Sequence, residues 1–325
     1  MIKVLKERIA NQPVGLGIAA LGRPGYMTLT HDKDLPDKSR PAMEKHAHYL
    51  FDLAWQNGVR YFDTARSYGD GEKFLASWLT DREIPNEQVV IGSKWGYVYT
   101  ANWQVKAEKH EIKYHTLENL NRQWEESKAI LGDYLNIYHI HSATLESGVL
   151  ENDAILDRLH EIKQTGVIIG LSLTGPVQAE ILKKALKIKY DGELLFGSVQ
   201  ATWNLLETSV QEQLRIAKSE GLFIILKELM ANGRIPALSP DYLNFRQIET
   251  IRLLGEELKL TADQVAINAA LQLGIADIVL SGAATEAHLL SNLKVSARDI
   301  DLNKLDQISQ KPEDFWKDRS ELEWI

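Results

Sequence analysis

A carboxylate, a phenol, an amine and an imidazole occur in that order at Asp63, Tyr68, Lys94 and His141. Three of them close apolar runs: VRYF leads into Asp63, VVIGS into Lys94 and LNIYHI into His141, while Tyr68 follows five residues after the acid in DTARSYG. A free phenol titrates near pH ~10 and gives up its proton reluctantly. A neighbouring ammonium stabilises the phenolate, so Lys94 is expected to make Tyr68 a usable acid near neutrality. A buried amine needs a counter-ion in turn, and Asp63 supplies it. His141 can hydrogen-bond a substrate oxygen and orient it, or share the proton transfer. Each residue alone has a plainer reading, the Asp as a structural acceptor and the Lys as a solvated strand end. The chemistry depends on their convergence.

Convergence requires elements that end at one place. Eight apolar segments of strand length recur, at 14–21, 59–65, 89–95, 135–141, 167–173, 196–202, 222–229 and 277–283. Stretches of helical period separate several of them; residues 42–58, for example, carry apolar positions 43, 47, 50, 51 and 54 and end on Gly58. Alternating strands and helices predict parallel pairing through crossover helices, closed as a barrel or open as a doubly wound sheet, and the count favours a single (β/α)8 TIM barrel. No linker, short repeat or low-complexity tract divides the chain, so residues 1–325 are read as one α/β domain. Long loops follow strands one and three, at 22–41 and 96–114, on the rim where barrel enzymes build their sites. The second carries Tyr97, Tyr99 and Trp103 just after Trp95. Trp95, Tyr97 and Trp103 are the expected substrate-pocket residues.

A net charge of -8 argues against a broad nucleic-acid or anionic-membrane surface, leaving a small-molecule partner. The absence of cysteine excludes thiolate metal sites and thiol nucleophiles. No apolar stretch is long enough for a signal peptide or a membrane span, and the chain is read as cytoplasmic. Composition leaves oligomeric state open.

The motifs resemble those of the aldo-keto reductase family over nearly the whole chain. DTARSYG matches its D-[TS]-A-x-x-Y-G signature, GSKWG its lysine strand, and DYLNIYHIH its D-x-x-D-L-Y-x-x-H strand in spacing. The resemblance implies that Asp63, Tyr68, Lys94 and His141 form the catalytic tetrad of an enzyme reducing an aldehyde or ketone to an alcohol, or the reverse. Hydride would pass from C4 of a nicotinamide while Tyr68 protonates the oxygen. It further implies cofactor contacts from Gly17, Ile18 and Asp63, from Ser172 in GLSL and from Gln200 in SVQATWN. LKELMANGR adds Lys227, Leu229 and Gly233; GAATEAHLLSNL adds Gly282, Ala284, Thr285, His288 and Asn292, with Thr285 capping a helix. Two departures stand out. Lys227 occupies the place of an aromatic ring under the nicotinamide, for which Trp203, also a pocket candidate, could substitute. The segment 282–288 offers Gly282, Glu286 and His288 where NADPH-preferring members offer Lys or Arg. Family habit gives NADP(H) precedence over NAD(H).

Three other readings compete. GLGIAA at 15–20 imitates a dinucleotide fingerprint, yet no helix begins within it. His139 and His141, two apart on a strand, share a face as metal ligands do, but SLTG and ATWN at the following strand ends offer no further ligand, so no metal is expected. A cofactor-binding sensor barrel without important turnover would use the same residues. Phe315, Trp316 and Trp324 in the C-terminal tail either cover the pocket or seal the barrel.

Overall fold

A computed structural model describes residues 1–29, 31–294 and 299–325, leaving aside the side chains of His31 and Asp306. Eight parallel strands close into a barrel. They are β1 (Val14–Gly17), β2 (Tyr61–Asp63), β3 (Val90–Trp95), β4 (Leu135–Ala143), β5 (Ile168–Leu173), β6 (Ser198–Thr202), β7 (Phe223–Lys227) and β8 (Ile278–Ser281), β1 pairing with both β2 and β8. Each lies inside the apolar segment expected for it, except that β4 runs two residues further. Most strand positions are buried on both faces, as a parallel sheet covered by helices requires.

The helices pack outside. α1 (Ile2–Ile9) precedes the barrel, and α2 (Arg40–Gln56) buries Met43, Ala47, Leu50, Phe51 and Ala54, the stripe read from the sequence. Its first turn carries a proline and its end passes to Gly58 at φ +87°. α3 (Gly71–Asp81), α4 (Leu117–Leu131), α5 (Asp153–Gln164), α6 (Gln178–Ala185) and α7 (Gln211–Ser219) occupy the next five crossovers. Thr116 and Asn152 cap α4 and α5 by accepting from the amides of Asn119 and Ile155. Two longer helices, α8 (Phe245–Leu258) and α9 (Ala262–Gln272), follow a single helical turn at Arg234–Ala237 between β7 and β8, and α10 (Glu286–Asn292) follows β8.

Three features lie outside the sequence expectation. α1 carries Leu5 and Ile9 into an apolar cluster with Tyr61, Val90, Ile137, Ile168 and Phe223, at the starts of the strands, so it closes the end of the barrel away from the rim. The loop 96–114 contains an antiparallel hairpin, Tyr97–Tyr99 against Glu111–Lys113. β4 breaks register with β5 between Ile140 and Ala143, with Ser142 at φ +54°. Such a bulge re-aims the side chains around it, and His141 is one of them. The closed barrel also disposes of the open-sheet reading of GLGIAA.

Candidate active site

β2 and β3 deliver Asp63 and Lys94 to the same rim, Asp63 in register with Gly92 and Lys94 two residues beyond it. Lys94 Nζ donates to Asp63 Oδ2 at 2.5 Å and to the carbonyl of Thr64 at 2.8 Å, both side chains almost wholly removed from solvent. The other carboxylate oxygen, Asp63 Oδ1, accepts from Gln200 Nε2 at 2.8 Å and from the Tyr61 hydroxyl at 3.5 Å. Full hydrogen bonding is what permits a buried carboxylate to remain charged. Lys94 Nζ lies 4.9 Å from the ring centroid of Tyr68, so acid, amine and phenol form one connected group.

His141 meets Tyr68 edge to face at 5.5 Å and Tyr97 at 4.9 Å, with its Nδ1 3.4 Å from Ser67 Oγ. Burial, then the positive charges of Lys94, Lys227 and Arg23, hold its pKa well below the usual imidazole range. It is a neutral ring able to donate or accept one hydrogen bond.

One expectation needs correcting. Burial and then the Asp63 carboxylate push the Tyr68 phenol well above its ordinary value rather than below it. The Lys94 ammonium is closely neutralised by Asp63. The opposing downward influence on the phenol comes from Arg23, a residue the sequence reading overlooked. Its guanidinium lies 5.2 Å from the Tyr68 ring, 4.7 Å from that of Trp324 and 5.4 Å from that of Tyr26.

These groups open into a cavity of about 750 Å³. Asp63, Tyr68, Tyr97 and His141 line it at the rim with Gln200 and Lys227; Leu229, Gly233, Gly282, Ala284, His288, Asn292 and Gly17 line it elsewhere. Several expected contacts lie elsewhere. Ile18 is wholly buried in the core. Ser172 sits behind the wall, its Oγ accepting from the Ser142 amide at 2.8 Å. Thr285 caps α10 as expected, its hydroxyl accepting from the His288 amide, and does not line the cavity. Trp95 is fully buried and packs on His115; Trp203 is 3 % exposed and donates to Gln211; Trp103 donates to the Lys38 carbonyl under Arg40. None of the three tryptophans lines the cavity, because the strand pleat and the loop turn their bulk into apolar packing. Trp324 of the tail does line it, whereas Phe315 and Trp316 are buried in the core. Arg23, Glu111, Glu228 and Arg319 complete the wall. Glu228 accepts two bonds from Arg319, at 2.7 and 2.8 Å, and one from Lys227 at 3.3 Å, which bring its pKa down to about 2 against the upward pull of burial. His139 faces the barrel interior on Ser198 Oγ, and among the described residues no three His, Asp or Glu side chains are grouped to hold a metal.

The cavity wall leaves space at a glycine and a polar atom without a partner. Gly282 has open space where a side chain would stand, Gly233 sits at φ +93°, and Asn232 Oδ1 is buried at the wall without a partner. A Cβ at Gly233 would meet Leu29 at 3.1 Å, so the long loop after β1 closes onto the loop after β7.

The Aldo/keto reductase family model matches residues 20–313. The chain belongs to the aldo/keto reductase family. Among curated relatives of this aldo/keto reductase, D-threo-aldose 1-dehydrogenase of a Pseudomonas species is 23 % identical over 316 residues, covering 88 % of this chain and 92 % of that protein. Pyridoxal 4-dehydrogenase of Microbacterium luteolum is 25 % identical over 253 residues, covering 67 % and 72 %. NADH-specific methylglyoxal reductase of Escherichia coli is 24 % identical over 195 residues, covering 57 % of each chain. A holo-form aldo-keto reductase structure from Bacillus halodurans shares the fold, with a TM-score of 0.68 at 18 % identity over 92 % of both chains. The protein is thus an oxidoreductase of the aldo-keto reductase type, a family that uses nicotinamide cofactors on small carbonyl compounds.

Proposed function

We propose that this enzyme interconverts an aldehyde or ketone and its alcohol with Tyr68 as general acid, and the observation that carries the reading is the buried Lys94–Asp63 pair held against the Tyr68 ring. The chemistry a bound nicotinamide supplies is hydride exchange with the carbonyl carbon. Gly17, Gln200, Lys227, Leu229, Gly233, Gly282, Ala284, His288 and Asn292, all on the cavity wall, are the residues that would hold it.

Tyr68 holds its proton firmly, because burial and Asp63 oppose the phenolate. That suits donation to an oxygen that is becoming an alkoxide, a far stronger base than the phenolate left behind. Arg23 faces the ring and stabilises the charge that appears on it during transfer, while Lys94, paired to Asp63, is the amine beside the ring. His141, neutral and beside Tyr68, orients the substrate oxygen by a hydrogen bond. Asp63 acts through Lys94, and Gln200 holds Asp63 in turn.

The family resemblance favours NADP(H). The described residues lining the cavity between Gly282 and Asn292 include no Lys or Arg for an extra phosphate, and Asp263 on the same wall is acidic. These features support use of NADH at least as efficient as use of NADPH, measurable as the ratio of the two kcat/KM values. Tyr68→Phe tests the acid: carbonyl reduction should fall by about 10²-fold or more, with dinucleotide affinity by fluorescence titration almost unchanged. Retained reduction would remove Tyr68 from the role.

A further inference from the structure

Beside Tyr68 the cavity wall is built from ion pairs and aromatic faces. Arg23, 2 % exposed, donates from one guanidinium nitrogen to Glu111 Oε2 at 2.7 Å and to the Ser67 carbonyl at 3.0 Å. Its Nε is buried without a partner. Glu111 keeps 19 % of its side-chain surface and faces the cavity from the hairpin after β3. Trp324 and Tyr26 present rings to the same guanidinium, and backbone bonds between Tyr26 and Ile325, at 3.1 and 3.2 Å, hold the tail there. His110 stacks on Trp324 at 4.2 Å and 10°, fixing the indole plane.

Three physical points narrow what this wall recognises. A fixed guanidinium and a fixed carboxylate side by side offer a strong donor and a strong acceptor, and a hydroxyl group is the neutral partner that uses both. An anionic substituent would gain from Arg23 but meet the Glu111 carboxylate bonded beside it, Glu228 being already paired with Arg319 and Lys227 on the same wall. A purely apolar substituent would strip water from the pair and return no hydrogen bond. Aromatic rings beside such a pair pack against C–H faces while the polar groups bond the oxygens.

We propose that Arg23 and Glu111 form a hydroxyl-recognition subsite, selecting neutral carbonyl substrates that carry a hydroxyl group next to the reacting carbon. This rests on the reading of Tyr68 as the acid, since the subsite is defined by its position against that ring. Arg23 and Glu111 are specificity-determining residues, while proton donation stays with Tyr68.

The test compares D-erythrose with butanal, each expressed per free aldehyde, in wild type, Arg23→Met and Glu111→Gln, using whichever dinucleotide turns over. Wild type should favour D-erythrose in kcat/KM by at least about tenfold, the scale of one charge-assisted hydrogen bond. Both variants should bring that ratio within about threefold of unity, and Arg23→Lys, which keeps the charge but loses the fork, should lie between. Intact near-ultraviolet circular dichroism confirms that the variants are folded; a variant that is not is replaced by the wild-type comparison of D-erythrose, butanal and succinic semialdehyde. Equal use of D-erythrose and butanal by wild type, an unchanged ratio in folded variants, or preference for the anionic succinic semialdehyde would each overturn the subsite while leaving Tyr68 as the acid. Absence of wild-type turnover toward every aldehyde would instead strike the catalytic reading, and the subsite with it; a uniform fall in Arg23→Met is what its place beside the Tyr68 ring predicts, and the subsite is read from the D-erythrose to butanal ratio.

Discussion

Lys94 has no solvent-exposed side-chain surface, and its partners are the Asp63 carboxylate and the Thr64 carbonyl. Lys94→Met therefore strands a buried carboxylate whose remaining side-chain partners are Gln200 and Tyr61. Unfolding free energy in urea should drop by about 3–5 kcal/mol, with reductive turnover falling about 10²- to 10⁴-fold. Combining it with Asp63→Asn should recover part of the stability and none of the turnover, because the charge, but not the ammonium, has been dealt with. The types and order of the four residues were legible in the chain because each sits at the end of an apolar run. The direction of the Tyr68 shift was not, since it depends on how closely Asp63 neutralises Lys94 and on how little water reaches the ring. Arg23 was equally illegible: it lies in an irregular loop, and only folding reveals that Tyr26, Tyr68 and Trp324 surround it.

The loop after β1 and the turn after β2 are packed backbone to backbone. A Cβ added to Gly22 would stand 2.3 Å from the Tyr68 carbonyl and 2.8 Å from Gly71 Cα, and the Gly22 carbonyl accepts from the Asp70 amide at 2.9 Å. Gly22→Ala should cost about 1–3 kcal/mol and lower kcat, because the backbone that must move carries the phenol. A thermal melt beside a steady-state assay checks both; a stable variant of undiminished kcat would show the two loops to be uncoupled. The apolar stripes of α2 and the barrel strands followed from periodicity. α1 did not, because eight residues with two buried positions give little pattern, and the hairpin after β3 did not, because its faces are only half buried.

Among the described residues three histidines have lowered pKa values: His115, half-buried and down to about 4, and the buried His139 and His141, held well below the normal range by burial first and then by Lys94. A histidine with a depressed folded pKa binds its proton more readily when unfolded, so its contribution is whole above about pH 6.5 and declines as pH falls toward the folded value. Each should add a slope of up to about 1.4 kcal/mol per pH unit. Glu228, lowered to about 2 by Arg319 and Lys227, works in a lower window: its stabilisation is present above the ordinary glutamate value near 4.5 and is lost as pH falls toward 2. Stability should therefore decline from pH 7 to pH 4 and continue to decline below it, as read by urea midpoints across pH. His139→Gln, which can still bond Ser198, should make the first decline shallower; an unchanged slope would mean that His139 titrates normally.

Strand count, strand spacing and the placement of chemistry at strand ends were written in the chain itself, because a barrel strand buried on both faces needs an unbroken apolar run and hands the next residues to the rim. Which side chains share the cavity was decided by closure of the barrel, which brings Gln200 onto Asp63 across 137 positions and seats Trp324 over Arg23. Trp95, Trp103 and Trp203 look from composition like a pocket and are packing instead. Sequence states that a residue is aromatic, whereas the pleat, the bulge after Ile140 and the fold of the tail determine which way it faces.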